Sequence, residues 1–492
     1  MLALVLLAWP LLGEPSRPLP IAVRASAVAN FLYQLDCVAD LPIQCARTDY
    51  GELWRRRFLT SAADSAAIVG WRAFRERYQG SIEIEGAGGP FPAGAAIFGS
   101  NEISLDAKVR VAGLQARSPE DYFERGDLLV VPGDRGWLRL PFRQFWGRWL
   151  GWWEAGPAAE TAGYAARLQA IIDRPDLVAL RAGFVTFFRS QFVENDTLGL
   201  FLLHRPDLLK SPSSGQQIDN YAIAEFLSTE PPEIRAPIIL HELCHYLARQ
   251  APAKEVARLV AWLDSTGTPP ARAARHLLNE ALASALANGL AERALTTPAE
   301  FSETLARPMS FYSNDAIDRT AKALVGLVDT TLARGESMFD AGWREAYLQR
   351  IEAALGATVH APRTDAIESF LFVDPAIGSY AVVRRAARRL GAASIYGQSE
   401  SVATLKPSIF DEGKTRTSFL VVHPGQRIRV ARLAGFPPAT RRLLDRMSEG
   451  VVCLPRNGGL NTYVVVGADV AAVERQFARL AHLDVGCVGV LR

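Results

Sequence analysis

Histidine, lysine and cysteine are scarce in this chain, and its charge and cysteine spacing argue against nucleic-acid binding and against a multiple-cysteine zinc site. There are 7 His, 5 Cys and only six Lys among 492 residues, so arginine supplies nearly all of the positive charge. The net charge of +2 indicates neither a nucleic acid nor an acidic membrane surface as a partner. The cysteines do not have the spacing of a structural zinc site of the multiple-cysteine kind.

Long apolar runs are also missing, apart from one at the start of the chain. Residues 2–12 read LALVLLAWPLL, which is too short to span a bilayer and is typical of the apolar region of a secretory signal peptide. A basic start and an early small-residue cleavage site are absent, so residues 1–20 are interpreted either as a signal peptide or as an N-terminal anchor. We expect an exported protein, periplasmic or secreted.

The few cysteines fit an exported chain. Cys37 and Cys45 lie eight residues apart, and Cys453 and Cys487 both lie near the C-terminus, so each pair could form a disulfide in an oxidising compartment. Cys244 is left over. It is interpreted as a small buried residue rather than as a ligand or a redox switch, because on a helix it points about 100° away from its neighbour His245.

The most informative stretch is HELCH at residues 241–245, an H-E-x-x-H pattern with apolar residues on both sides. On a helix, His241 and His245 are four residues apart and share one face, so both imidazoles can reach one metal ion. Glu242 lies at the edge of that face, where it can take a proton from a water at the metal. The pattern predicts metal-assisted hydrolysis, and the alternative is a core helix with two hydrogen-bonded histidines.

A catalytic zinc site needs a third protein ligand, with the fourth position left to water. Residues 270–294 show a strong helical pattern rich in Ala, Leu and Arg. Glu280 lies in this pattern among apolar neighbours, where a carboxylate is costly to bury without a partner or a metal. His276, one turn earlier, faces the same way and is the alternative ligand. The other alternative is a solvated Glu280 on an exposed strip.

These motifs resemble those of the gluzincins, the thermolysin-like clan of zinc metallopeptidases, over residues 195–350 at most. The resemblance rests on the H-E-x-x-H pattern followed by an N-E-A segment around Glu280 on a later helix. It implies Zn²⁺ as the cofactor, with His241, His245 and Glu280 as its ligands. It also implies that Glu242 is the general base and then the acid that protonates the leaving amine.

The resemblance also implies roles for residues around the metal ligands. Asn279 and Ser284 match positions that often orient the ligands, although many family members have Asp where this chain has Ser284. In the family, a strand before the metal-binding helix forms the upper rim of the cleft and pairs with the substrate backbone. Residues 220–225 are the candidate for this strand, and an ordinary sheet strand is the alternative.

The family also uses a Tyr or His side chain to stabilise the oxyanion that forms at the scissile carbonyl. The candidates here are Tyr312, Tyr347 and His360. Tyr312 is preferred as the second catalytic residue, because it lies just before an amphipathic helix over 316–334 whose start would hold it in a fixed place. A packing role at the helix start is the alternative.

Length and pattern divide the chain into several regions, and the expected fold class is α+β. A zincin-like catalytic domain over 155–360 is expected to be mostly helical after the motif helix. An N-terminal α+β region over 30–150 reads as helical up to residue 80 and then contains the strand-like runs SIEIEG, AAIFG, LLVVPG and WLRLPF. A small C-terminal α+β module over 363–492 has short β-rich runs, including 427–431, and a helix capped by Asp469.

An aromatic cluster closes the N-terminal region. Phe142, Phe145, Trp146, Trp149 and Trp153 share one helix face. Such a face is typical either of a membrane-surface or ligand-stacking patch, or of a helix packed between domains, and the packing interpretation is favoured.

The sequence thus predicts an exported zinc metallopeptidase that hydrolyses peptide bonds of a peptide or protein substrate with an activated water. One alternative is a binding or scaffold protein that keeps a zincin fold without turnover. The other is a zinc hydrolase of a non-peptide bond. The pattern leaves the cleavage preference and the oligomeric state open.

Overall fold

The structure is a computed structural model, and the predictions can be compared with the residues that it describes. These are residues 17–41, 45–78, 105–192, 196–206, 215–312, 315–356, 368–388, 390, 394–399, 402, 417–433, 436–455, 461–481 and 489–491. The predictions for residues 1–16, for the runs SIEIEG and AAIFG, and for His360 and Cys487 lie outside them. Among the described helices, none is both long enough and apolar enough to cross a membrane.

The N-terminal part of the described chain is built from helices. They are α1 (Ala27–Val38), α2 (Arg47–Arg57), α3 (Ala62–Arg77), α4 (Leu105–Gln115), α5 (Pro119–Asp127), α6 (Arg135–Pro141) and α7 (Gly147–Glu154), with a π-helical turn at Phe142–Trp146. Serine side chains cap two of them, since Ser26 accepts a hydrogen bond from the backbone of Ala29 and Ser118 from that of Asp121.

The prediction of strands in this region is wrong for the two runs that the structure describes. LLVVPG forms a turn that leads into a short 3₁₀ helix, and WLRLPF forms α6 and the start of the π-helical turn. WLRLPF alternates as a strand would, but Leu138, Phe142 and Phe145 follow helical spacing and are buried together. The described N-terminal region is therefore helical rather than α+β.

The aromatic cluster forms the centre of this helical region. Phe145 and Trp149 are fully buried, and Trp153 is only 5% exposed. The ring of Phe31 in α1 lies 5.3 Å from that of Trp146 and 5.4 Å from that of Trp149, both edge-on. These rings pack against one another in a core, which agrees with the packing interpretation.

A four-stranded sheet lies against α1 and α2, with strand order β1-β2-β4-β3. Its strands are β1 (Ile21–Arg24), β2 (Leu198–His204), β3 (Gly215–Ile218) and β4 (Tyr221–Phe226). β1, β2 and β4 run parallel, and β3 is antiparallel to β4. A tight turn joins β3 to β4, and in it Asp219 has a left-handed φ of 52°.

The strand predicted at residues 220–225 does not lie at an edge of the sheet. Residues 220–225 fall mainly in β4, which pairs with a strand on each side. Among the described strands, β3 is the one at the sheet edge next to helix α10 (Arg235–Arg249), and its other neighbour is β4. The sequence of β3 is GQQI and all four residues are half-exposed, so it lacks the apolar alternation by which a strand is recognised.

Helices surround the other face of this sheet, and the sequence predicted this helical character. They are α8 (Pro157–Ile172), α9 (Pro175–Phe188), α10, α11 (Ala253–Thr266), α12 (Pro269–Ser284), a π-helix (Ala285–Ala291), α13 (Glu292–Leu295), α14 (Pro298–Ala306), α15 (Asp315–Ala333) and α16 (Ala341–Leu355). Their apolar faces form the largest core of the described chain. Leu240 and Leu243 of α10 and Leu277 of α12 are fully buried in it, so the two motif helices are held rigidly together.

The C-terminal part is a six-stranded sheet covered by helices on both faces. The strand order is β10-β8-β9-β7-β5-β6. The strands are β5 (Glu368–Val373), β6 (Ser394–Ser399), β7 (Thr417–Val422), β8 (Gly450–Pro455), β9 (Asn461–Val466) and β10 (Gly489–Leu491). Helices α17 (Tyr380–Arg388) and α20 (Val470–Leu480) cover one face, and α18 (Arg427–Leu433) and α19 (Pro438–Asp445) cover the other.

The C-terminal predictions are mostly confirmed. Short β-rich runs became β7, β8 and β9, and the Asp469 side chain caps α20 by accepting from the backbone of Ala472. The run at 427–431 is instead the start of α18, whose Val430 and Ala431 are buried against the sheet. The described chain as a whole is mixed α+β, as expected.

The described cysteines behave as predicted. Cys37 and Cys45 form a disulfide, and Cys453 is also disulfide-bonded. Cys244 is a free, buried thiol whose pKa burial raises well above its usual range, so it is an unreactive core residue. A disulfide fits an exported protein.

Candidate functional site

Helix α10 has one stripe of side chains that reaches solvent, and this stripe includes Glu242 and His245 of the H-E-x-x-H pattern. Every residue of the helix is buried except Ile238, Glu242, His245 and Arg249, which are half-exposed. Intervals of four, three and four residues place these side chains on one face of the helix. His241 lies beside this stripe and is 8% exposed. We refer to Ile238, Glu242, His245 and Arg249 as the α10 stripe.

Helix α12 brings Glu280 to the α10 stripe. Two prolines begin the helix, and Thr268 caps it by accepting from the backbone of Ala271. The Nε2 atoms of His241 and His245 lie 3.0 Å apart. Glu280 Oε2 lies 3.3 Å from His241 Nε2, and its Oε1 lies 3.6 Å from His245 Nε2.

These three residues could hold a metal ion. One ligand atom from each of His241, His245 and Glu280 lies within 4.8 Å of the other two. We call this set the His/His/Glu group. The side chains of His245 and Glu280 are 14% and 28% exposed, so the group is open to solvent on one side. Three protein ligands with an open side is the arrangement of a catalytic rather than a structural metal site.

The electrostatics of the group favour a cation between its members. Burial on its own disfavours a charged imidazole, but the Glu280 carboxylate outweighs this effect and raises the pKa of His245 to about 9. Burial likewise disfavours an ionised Glu280, yet the two imidazoles hold the pKa of that carboxyl well below its usual range. The group therefore stabilises a positive charge next to an ionised carboxylate.

The two imidazoles are oriented in different ways. His245 Nδ1 lies 3.0 Å from Asn279 Oδ1, and because an amide oxygen only accepts, this contact directs the Nε2 lone pair towards the group. His241 Nδ1 is buried and has no protein partner within the described chain. The same holds for Ser284 Oγ, one turn after Glu280, at the position where many gluzincins have Asp.

Glu242 is placed beside the group and beneath strand β3. Burial raises the pKa of its carboxyl, and the two nearby imidazoles act in the opposite direction. Gly215 covers it so closely that a Cβ atom there would lie 3.1 Å from Glu242 Oε1 and 3.1 Å from Ile238 Cγ2. A carboxylate with a raised pKa next to a group that could hold a metal ion is suited to accept and return a proton.

Tyr312 lies against the His/His/Glu group. Its ring is stacked on His241, with centroids 6.1 Å apart and planes 29° apart. The residue before it is held from both sides, because the buried Asp318 accepts from Phe311 N at 2.8 Å and Asn288 Nδ2 donates to Phe311 O at 2.6 Å. These bonds fix the backbone that carries Tyr312.

The other described candidates from the sequence analysis lie outside the His/His/Glu group. Tyr347 is fully buried and donates to Ala274 O at 2.8 Å, so its hydroxyl serves the core. Among the described residues, the convergent group contains Glu280 and not His276. Cys244 lies on the buried side of α10.

Sequence reasoning missed two residues that shape this site. Gly215 gave only a turn signal after a Ser- and Pro-rich stretch, although it lies directly over Glu242. Asp318 reads as an ordinary helix-start carboxylate, yet it is 1% exposed and anchors the segment before Tyr312.

Comparison with known proteins yields no relative for this chain. No protein-family model matches it, and neither the curated proteins nor the solved structures include a significant match.

Proposed function

We propose that this protein is a zinc-dependent peptidase of the gluzincin type. The observation that carries the proposal is the convergence of His241, His245 and Glu280, with Glu242 next to His241 in sequence. Two imidazoles and one carboxylate from two helices, open on one side, is a donor set that suits catalytic zinc.

The residues present fit a zinc ion. His241, His245 and Glu280 would hold it, and Asn279 presents the Nε2 atom of His245 in the tautomer that a ligand needs. When bound, zinc would polarise the scissile carbonyl and lower the pKa of the attacking water.

Glu242 supplies the proton transfers in this proposal. It accepts a proton from the attacking water and returns it to the nitrogen of the leaving amine. Burial of the carboxyl group raises its pKa above the usual range, which favours both steps. Gly215 leaves room for the carboxylate and restricts its movement.

Tyr312 and strand β3 complete the proposed site. The Tyr312 hydroxyl would donate a hydrogen bond to the oxyanion, since its ring lies against His241 on a braced segment. An extended peptide would add, through backbone hydrogen bonds, to the edge of β3, which runs beside α10 and is paired with β4 alone among the described strands. This mode of binding gives affinity with little dependence on side chains.

We also propose that the protein is exported and acts on peptides or proteins outside the cytoplasm. The Cys37–Cys45 disulfide supports export, because such bonds persist in oxidising compartments.

The test is cleavage of a diverse peptide mixture by zinc-loaded protein, read by mass spectrometry, with wild type and Glu242→Ala compared. Products from wild type alone are the expected result. Products from both proteins, in equal yield, would overturn the role of Glu242. With zinc shown to be bound, no products from either would favour a non-peptide substrate or a binding protein.

A further inference from the structure

Arg249 extends the α10 stripe beyond the His/His/Glu group. It lies one helical turn after His245, on the same half-exposed face as Glu242. Burial lowers the pKa of Arg249, and the nearby carboxylates of Asp219 and, more weakly, Glu242 oppose this shift. The α10 stripe therefore runs from the apolar side chain of Ile238, past the His/His/Glu group, to the guanidinium of Arg249.

Arg249 is partly buried and makes few hydrogen bonds, although the Asp219 carboxylate acts on it electrostatically. Its Nε atom is buried with no hydrogen-bond partner in the described chain, and its Nη2 donates only a long bond of 3.4 Å to Asp219 O. Two fully buried guanidiniums, by contrast, bind carboxylates directly, and one of them is Arg205, which lies 2.6 Å from Asp49. Arg75 is bonded to Asp36 at 2.7 Å in the same way. A buried guanidinium normally acquires such a partner.

The position of β3 defines how a ligand would reach Arg249. The start of β3, at Gly215, lies over Glu242 and Ile238, and the turn after it contacts Arg249 through Asp219 O. β3 therefore follows the α10 stripe from the His/His/Glu group to Arg249. One helical turn is about 5.4 Å and an extended peptide advances about 3.3 Å per residue. A peptide along β3 would therefore meet Arg249 within a few residues of the group.

We propose that Arg249 is a specificity residue that binds a carboxylate of the substrate. The proposal rests on the peptidase function given above. The carboxylate comes either from an acidic side chain near the scissile bond or from the C-terminus of the substrate. A guanidinium offers paired N–H donors that match either source.

Arg249 also contributes to the fold itself, through its contact with Asp219 in the turn between β3 and β4. It lies in the last turn of α10, where a cation is favoured by the helix dipole. That effect depends only on charge and is retained by lysine, whereas two-point recognition of a carboxylate requires arginine. Arg249→Lys and Arg249→Met therefore separate the structural and the recognition roles. The exposed Arg258 of α11 offers a matched control, Arg258→Met.

The experiment measures kcat/KM on peptide pairs that differ by a single charge. One pair exchanges Asp for Asn near the cleavage site, and the other exchanges a C-terminal acid for an amide. We expect wild type and Arg258→Met to prefer the acid of one pair by about tenfold or more, and Arg249→Met to lose that preference through KM. The peptide pair for which Arg249→Met loses the preference identifies the source of the carboxylate. Equal preferences in wild type and Arg249→Met would overturn the inference.

Binding measurements separate this inference from the proposed function. If none of the proteins cleaves any peptide, the peptidase proposal fails, and calorimetry with the same peptide pairs tests Arg249 alone. Tighter binding of the acid by wild type and Arg258→Met, but not by Arg249→Met, would support the site. Equal binding of acid and neutral peptides by wild type would overturn it. Melting temperatures and the Arg249→Lys variant show whether a loss reflects unfolding.

Discussion

Asn279 and Glu280, adjacent on α12, hold opposite sides of the same imidazole. Asn279 Oδ1 lies 3.0 Å from His245 Nδ1, while Glu280 Oε1 lies 3.6 Å from His245 Nε2. Asn279 thus orients His245, and Glu280 would bind the same cation as His245. Asn279 and Glu280 therefore act as a unit in the proposed metal site.

Removing the orienting contact is expected to weaken metal binding without removing a ligand. We predict that Asn279→Ala lowers zinc affinity by about 10–100-fold, because the His245 ring loses its fixed tautomer and orientation. Asn279→Asp keeps an acceptor oxygen and should retain the affinity of wild type. Competition with a zinc-binding dye measures both. Unchanged affinity in Asn279→Ala would show that packing alone orients His245.

Tyr347 offers a matched control for the proposed role of Tyr312 as the oxyanion donor. Tyr312→Phe should lower kcat by about 10²–10³-fold with little change in zinc content, because it removes a donor used at the transition state. Tyr347→Phe should keep kcat and lose about 1 kcal/mol of unfolding free energy, because its hydroxyl bonds to Ala274 O in the core. Steady-state kinetics and urea unfolding distinguish them. The reverse pattern would assign the donor to Tyr347.

Gly215 restricts the space available to Glu242. A Cβ atom there would approach Glu242 Oε1 to 3.1 Å, so Gly215→Ala must displace the carboxylate or the strand. We predict that kcat falls by up to about 100-fold while zinc binding persists, since small displacements of a catalytic group are costly. The control is Gly326→Ala in α15, where no atom lies within 4 Å of an added Cβ. Equal kcat in wild type and Gly215→Ala would contradict this geometry.

Asp64 couples the stability of the N-terminal helices to pH. Its side chain is 1% exposed, and Arg148 Nη2 lies 2.6 Å away. Arg148, with Gln144, Ser61 and the backbone of Thr60, holds the pKa of Asp64 well below its usual range, although burial opposes this. A depressed folded-state pKa stabilises the protein above the unfolded pKa of about 3.9. That stabilisation is lost as pH falls through that value towards the folded pKa.

The Asp64→Asn variant tests this coupling. At pH 7 we expect it to lose about 1–3 kcal/mol of unfolding free energy, a range that allows for the partial exposure of Arg148. The difference from wild type should shrink below about pH 4, where Asp64 is protonated in the unfolded chain. Urea unfolding at several pH values measures it. A difference independent of pH would contradict the ionic role.

The sequence predicted the centre of the site better than its borders. His241 and His245 were identifiable because a spacing of four residues on a helix dictates a shared face. Glu280 was identifiable because a carboxylate among apolar neighbours needs a partner. The edge strand β3 was not identified, since GQQI carries no apolar alternation and its role arises only from pairing with β4.

Periodicity also failed where tertiary packing overrode it. WLRLPF and the run at 427–431 alternate like strands but form helices, because buried neighbours such as Phe142 and Val430 contact their cores at helical spacing. Arg249 was not singled out because its proposed role depends on the position of α10 relative to the turn after β3. The half-exposed α10 stripe and the β3 turn meet only in the folded chain.

The most direct test of the account is the zinc content of the purified protein, measured by elemental analysis after dialysis against a weak chelator. Wild type and Glu303→Ala, a change at an exposed glutamate of α14, should each retain zinc at about one ion per chain. Glu280→Ala and His245→Ala should lose it, while Glu242→Gln should retain zinc but show no peptide cleavage. Zinc retained in full by both ligand variants, or cleavage by Glu242→Gln at the wild-type rate, would contradict the proposed site.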